Sequence, residues 1–182
     1  MRATLAILCL SILAAAAKGG DIVWYKGSVV LANKQVIVGD VARQSHELLL
    51  YKDPKGEVSA LPAHKIASFR YYDDHAQVNR AFVTASNKFY ERVVTGKISV
   101  WRIQKTFYQE IIEDNPQLFD FYIEDQRRVY SISSFRTRFF DRIREELELQ
   151  LVSHKHLDPN TKHGAVSLIM LYNKSSNVTA SI

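Results

Sequence analysis

Asp73, Asp74 and His75 are consecutive and stand where a run of alternating residues gives way to a turn. If the fold brings Glu91 and His64 near them, the group could supply the two carboxylates of a glycoside hydrolase, held about 5 Å or about 6.5 to 9.5 Å apart. Paired aspartates at a turn also serve a plainer end, because their side chains accept hydrogen bonds from nearby backbone amides. His154, His156, Asp158 and His163 form a second donor-rich stretch. Such nitrogen and oxygen donors suit zinc or nickel. Their spacing matches no ligand pattern, and they fall in an expected loop between helices, so neither a metal nor a cofactor is assigned.

Arg127, Arg128, Arg136, Arg138, Arg142 and Arg144 crowd into one hairpin strand and the first half of an expected helix. Guanidinium groups bind phosphate and carboxylate oxygens in pairs, which makes these six a candidate patch for an anionic partner. The competing reading is a solvated face. Arginines near a helix start oppose the macrodipole, and Glu145, Glu146 and Glu148 lie toward the wrong end as well. The pairs Arg142 with Glu146 and Arg144 with Glu148 return only a few tenths of a kcal/mol each, so packing must hold this helix. Trp24, Tyr25, Tyr71, Tyr72 and Trp101 could stack sugars or peptide side chains, but neighbours on a strand point to opposite faces. Only part of the set can share a surface, and core packing is the expected role of most. No Gly-rich phosphate loop, H-E-x-x-H helix, EF-hand loop or G-x-S-x-G elbow is present.

The elements that must position these residues are readable from periodicity. A chain of 182 residues, 47% hydrophobic and 24% charged, fits one domain. Arg2, the apolar run 5–13, and Ala15 and Ala17 form a secretory signal peptide over 1–17; the run is well short of the roughly 20 residues of a spanning helix. Cys9 lies inside it, so the mature chain has no thiol and no disulfide or cysteine chemistry. Without Arg2, the 24 Lys and Arg fall to 23 against 19 Asp and Glu, a net charge of +4.

Period-two patterns mark strands at 22–31, 35–41, 46–52, 57–61, 64–72 and 80–84. Asn33 is expected to take the left-handed position in the first hairpin, Asp53-Pro54-Lys55-Gly56 makes a turn, and Pro62 argues for an edge or strand end. Residues 89–95 and 97–103 form a tight hairpin about Gly96, or one strand with a bulge. Segment 105–113 fits strand and helix equally, and 119–124 with 127–131 reads as a hairpin over Asp125-Gln126. From Ser133-Ser134, placed as an N-cap, a four-residue spacing of Phe135, Phe139, Ile143, Leu147 and Leu151 predicts one long helix to 152. A shorter helix starts at Asp158-Pro159-Asn160. The expected class is α+β, mostly antiparallel β-sheet or a small open barrel with two C-terminal helices, in a single domain over 18–173. It is β-rich over 22–131 and helical over 133–173, with a frayed tail at 174–182.

Gly27-Ser28-Val29-Val30-Leu31 with its return at Gly39-Asp40-Val41, the 66–72 strand, Phe89-Tyr90-Glu91 leading to Gly96-Lys97-Ile98-Ser99-Val100, and the helical end at Leu171-Tyr172-Asn173 follow one another behind the leader. In that order they resemble a group of exported β-rich proteins of Bacteroidetes-type bacteria. The resemblance implies an envelope location, in the periplasm, outer-membrane-associated or secreted, and it brings no catalytic residues. The expected function is a non-catalytic binding or assembly module whose partner is another envelope protein or an anionic polymer. No nucleic acid and no transmembrane span are expected in the mature chain. The alternative is an exported hydrolase built on Asp73, Asp74 and His75. Intact-mass measurement of the protein from separate fractions of its native host should find residues 1–17 removed and no mass added; an uncleaved cytosolic chain would remove the argument for export.

Overall fold

The computed structural model describes residues 22–105, 118–126, 128–151 and 156–179, with 148–151 and 177–179 as backbone alone. The leader at 1–17, most of the ambiguous 105–113 segment, Arg127 and His154 lie outside them. The strands are β1 (Tyr25–Leu31), β2 (Val36–Arg43), β3 (Leu48–Lys52), β4 (Val58–Pro62), β5 (Ile66–Asp73), β6 (Val78–Ala85), β7 (Lys88–Val94), β8 (Ile98–Gln104), β9 (Phe119–Asp125) and β10 (Arg128–Ser131). The helices are α1 (Phe135–Arg138), α2 (Phe140–Leu151) and α3 (Lys162–Thr179). All ten strands join one sheet in the order β10-β9-β8-β7-β6-β5-β1-β2-β3-β4, every pair antiparallel. The expected α+β class is the observed one, as an open sheet rather than a barrel.

Local chemistry explains the turns. Asp53 Oδ1 accepts from the amides of Lys55 and Glu57, both at 2.8 Å, and Gly56 takes φ +90, a left-handed position that suits glycine. In the first hairpin Lys34, not Asn33, carries the positive φ of 71; Asn33 instead accepts from the Gln35 amide at 3.0 Å. Residues 89–95 and 97–103 pair as a hairpin about Gly96 rather than one continuous strand, with a register shift in β7 between Arg92 and Val94. Pro62 does end an edge strand, β4.

The sheet curls so that the Phe89 amide on β7 reaches the His46 carbonyl in the β2–β3 loop at 2.7 Å. Its inner face carries two apolar clusters. One gathers Val29, Val41, Leu49, Phe69, Tyr71, Phe82 and Phe89. The other packs Ile98, Val100, Phe121 and Ile123 against Phe135, Phe139, Ile143, Leu147, Leu168 and Ile169 of the helices. Strict alternation mispredicts one residue here. Leu31 pairs with Ile66 while Val30 pairs with Ser68, so Ala67 is the extra residue of a bulge, and Ile66 joins Phe69 and Tyr71 on the inner face instead of facing away.

The single long helix is also corrected. Ile132–Ser134 is a 3-10 turn capped by Ser131, and Ser134 makes no capping bond. The chain leaves helical geometry at Phe139, with φ −120 and ψ −31, before α2 resumes. Phe135, Phe139, Ile143 and Leu147 are nevertheless all buried. Each such side chain contributes roughly 1.5–3 kcal/mol, against about 0.3–1 kcal/mol for an unfavourable charge at a helix end; packing wins. The lengths reverse the expectation, since α3 has 18 residues and α2 has 12. It starts at Lys162 behind Thr161, whose Oγ1 accepts from the Gly164 amide at 3.0 Å, and it runs to Thr179.

Asn173 anchors that helix. It is 5% exposed. Its Oδ1 accepts from the Ile98 amide at 3.2 Å and its Nδ2 donates to the Ile98 carbonyl at 2.7 Å, taking the place of a neighbouring strand where β7 has already ended. Gly96 makes room, because a Cβ there would collide with the Asn173 side chain. Asn173→Ala should lower unfolding free energy by about 1–3 kcal/mol. Gly96→Ala should cost less in the Asn173→Ala background than in wild type; denaturant titrations showing additive losses would refute this coupling.

Candidate functional site

The inner face of β5–β8 turns polar between the two apolar clusters. Asp73 ends β5, and Arg80, Glu91 and Arg102 follow on β6, β7 and β8. Register brings them together: Arg80 pairs with Tyr71, and Glu91 pairs with Phe82 and with Arg102. Arg80 Nε donates to Asp73 Oδ2 at 2.7 Å and its Nη1 to Glu91 Oε1 at 2.8 Å. Arg102 Nε donates to Glu91 Oε2, also at 2.8 Å. Asp73 Oδ1 accepts from the amides of His75 and Ala76 at 3.1 Å each. The result is a chain of alternating charges, with Asp73 3%, Arg80 8% and Arg102 8% exposed.

These charges are locked. Burial alone would raise the Asp73 pKa, but the bond from Arg80 and the two turn amides outweigh it and hold the carboxyl below its ordinary value. Burial likewise works against the Arg80 cation, and its bonds to Asp73 and Glu91 more than reverse that. Tyr71 is pushed up to about 12, chiefly by burial. Arg102 lies 4.3 Å over the Phe119 ring and Arg43 5.0 Å over Phe82. Such a network presents fixed charge to a ligand, and Asp73 and Arg80 hold their protonation states through neutral pH.

Above it opens a cleft of about 490 Å³ between α3 and β6–β8. Val78, Phe121, Val166 and Met170 give apolar walls, His163 lies among the lining residues, and Arg80, Glu91 and Arg102 give the charged floor, while Arg92, paired with Trp101, also borders a pocket on the outward face. The arrangement suits an anionic group carried on a partly apolar molecule.

The residues singled out in the sequence are distributed differently. Asp73 and Glu91 do meet, through Arg80. Asp74 is exposed and lines a separate pocket with Trp24, Lys26, Asp40 and Tyr72, while His75 and His64 are exposed. Of the six arginines, Arg128 is exposed on β10. Arg136 and Arg144 flank Asp141 at 3.7 and 3.5 Å and lie 4.6 and 5.9 Å from the Phe140 ring. Arg138 sits 5.2 Å over Tyr130. Arg142 reaches Asp125 on β9 at 3.1 Å rather than Glu146, whose carboxylate accepts instead from the Tyr172 hydroxyl. Asp158 accepts from Asn160, and no group of three metal donors occurs among the described residues. Tyr25 stacks on Tyr71 in the core at 4.7 Å, and Trp101 is buried.

Arg80, Arg92 and Arg102 were not picked out from sequence. A signal existed for two of them: Arg80 shares parity with Phe82, and Arg102 with Ile98 and Val100, so each places a charge on the apolar face of its strand. No helix among the described residues is long and apolar enough to cross a membrane.

Because the folded pKa of Asp73 lies below its unfolded value, its contribution is complete at neutral pH and is lost as pH falls below about 4 through the folded value. Asp73→Asn should therefore cost about 3 kcal/mol at pH 7 and flatten the acid limb of a stability-against-pH curve; an unchanged acid limb would show that the carboxylate is not coupled to folding. Compared with protein-family models, with curated proteins and with solved structures, the chain matches none.

Proposed function

We propose that this chain is an exported bacterial envelope module that binds an anionic partner without transforming it, and that the partner's charged group enters the cleft between α3 and β6–β8. One observation carries the reading: the guanidinium groups of Arg80 and Arg102, held in place by Asp73 and Glu91, line that cleft. The hydrophobic walls add area around the charge, and the locked protonation states of Asp73 and Arg80 favour recognition over proton transfer. Export rests on the leader at 1–17. Binding is preferred to assembly by strand addition because both sheet edges are short. β10 has four residues, and β4 has five and ends in Pro62, which is how sheets discourage pairing with another chain. The hydrolase alternative has less support, since Asp73 is buried with both oxygens bonded while Asp74 and His75 are exposed.

Octyl phosphate, titrated below its micelle concentration, should bind saturably and more weakly as salt is raised. Met170, 54% exposed on the cleft wall, offers a substitution that adds repulsion without emptying the core. Met170→Glu should reduce affinity about tenfold, or about 1.4 kcal/mol. Equal affinity in the variant, or no binding by wild type, would remove the cleft from the proposal.

A further inference from the structure

We propose that the outward face of β1, β2 and β5 carries a second site, for a neutral sugar, with Trp24 and Tyr72 as its stacking surface. Register builds it. Asp40 pairs with Lys26 on one side and with Lys52 on the other. Gly27 pairs with Tyr71, so the next rung sets Lys26 beside Tyr72. Trp24 is two residues before Lys26 and Asp74 two after Tyr72, so the alternation of strands turns them to the same side. Trp24, Lys26, Asp40, Tyr72 and Asp74 line a pocket of about 430 Å³ there.

Both rings are held in place by other side chains. Lys52 Nζ lies 4.5 Å from the centroid of Trp24 and 3.2 Å from Asp40 Oδ2, bridging the indole to the carboxylate. The Tyr72 hydroxyl donates to Gln77 Oε1 at 3.0 Å, and Gln77 Nε2 donates to the Asp74 carbonyl at 2.7 Å. Ordering these groups before a ligand arrives lowers the entropic cost of binding. Tyr72 remains 39% exposed, although its neighbour Tyr71 is buried in the core.

Charge selects the ligand class. Lys26 and Lys52 balance Asp40 and Asp74, so the pocket has no net preference for an ion. A cation would have to displace Lys52 from Trp24, and an anion would meet two carboxylates. A sugar matches what is left. Its C–H face lies against an aromatic ring, and its hydroxyls can donate to the carboxylates and accept from the ammonium of Lys26. This site lies on the opposite face of the sheet from the cleft and takes the opposite kind of molecule.

Calorimetric titration of the mature chain with maltohexaose, cellohexaose, chitohexaose and mannohexaose tests the proposal. Saturable binding to at least one of them is expected, nearly independent of salt and unchanged by Met170→Glu. Tyr72→Ala and Asp74→Ala, both at exposed positions, should each weaken it about tenfold or more while the thermal midpoint stays close to that of wild type. Binding of none of the four, or equal affinity in both variants, would overturn the sugar site. Saturable binding of tetramethylammonium in place of the sugars would overturn it too, and would make the Trp24 pocket a cation site.

Discussion

The buried run of charge from Asp73 through Arg80 and Glu91 to Arg102 is the constraint around which the sheet is arranged. Each ion has given up hydration that its bonded neighbours replace, so removing one weakens the satisfaction of the next. The run spans four successive strands, β5 to β8. A slip of one residue in any of these pairings would turn a charged side chain to the far face and strand its partner. Apolar packing alone would tolerate several registers of valine, isoleucine and phenylalanine more easily than it tolerates a misplaced guanidinium.

The rest of the molecule accommodates this charged middle. The curled half of the sheet closes its own apolar cluster around Phe69, Phe82 and Phe89, while the other half borrows α1, α2 and α3 to cover Ile98, Val100 and Ile123. Asn173 joins the two kinds of structure by presenting an amide side chain to Ile98 as a strand would present its backbone. Between the helical cover and β6–β8 a cleft is left above the arginines. The two faces therefore differ in what they offer: paired guanidinium groups at the floor of a walled cleft inside, and ammonium and carboxylate groups beside ordered aromatic rings outside.

Much of the sheet was legible because its turns are written in local chemistry. Asp53, Gly56 and Pro62 act within a few residues of themselves, and alternation of apolar side chains needs no knowledge of partners. The misassignments arose where a distant partner overruled the local pattern. Ala67 is extruded as a bulge because β1 sets the register of β5 on both sides of it. The helix predicted from Ser133 breaks at Phe139 and still buries Phe135, Phe139, Ile143 and Leu147 together, since burial outweighs a lost turn. The last helix is anchored at Asn173 by a bond to a residue 75 positions away.

The candidate sites divide along the same line. The sequence alone determined an α+β chain with an apolar N-terminal run that holds its single cysteine, antiparallel strands, and aromatic residues in adjacent pairs that must part to opposite faces. Only tertiary structure decided which arginines line the cleft. The conspicuous cluster from Arg128 to Arg144 is engaged largely with Asp141, Asp125, Phe140 and Tyr130, whereas Arg80 and Arg102, isolated in sequence, meet at Glu91 across three strands. Convergence of that kind is a property of register, and register depends on side chains that meet only after the sheet has formed.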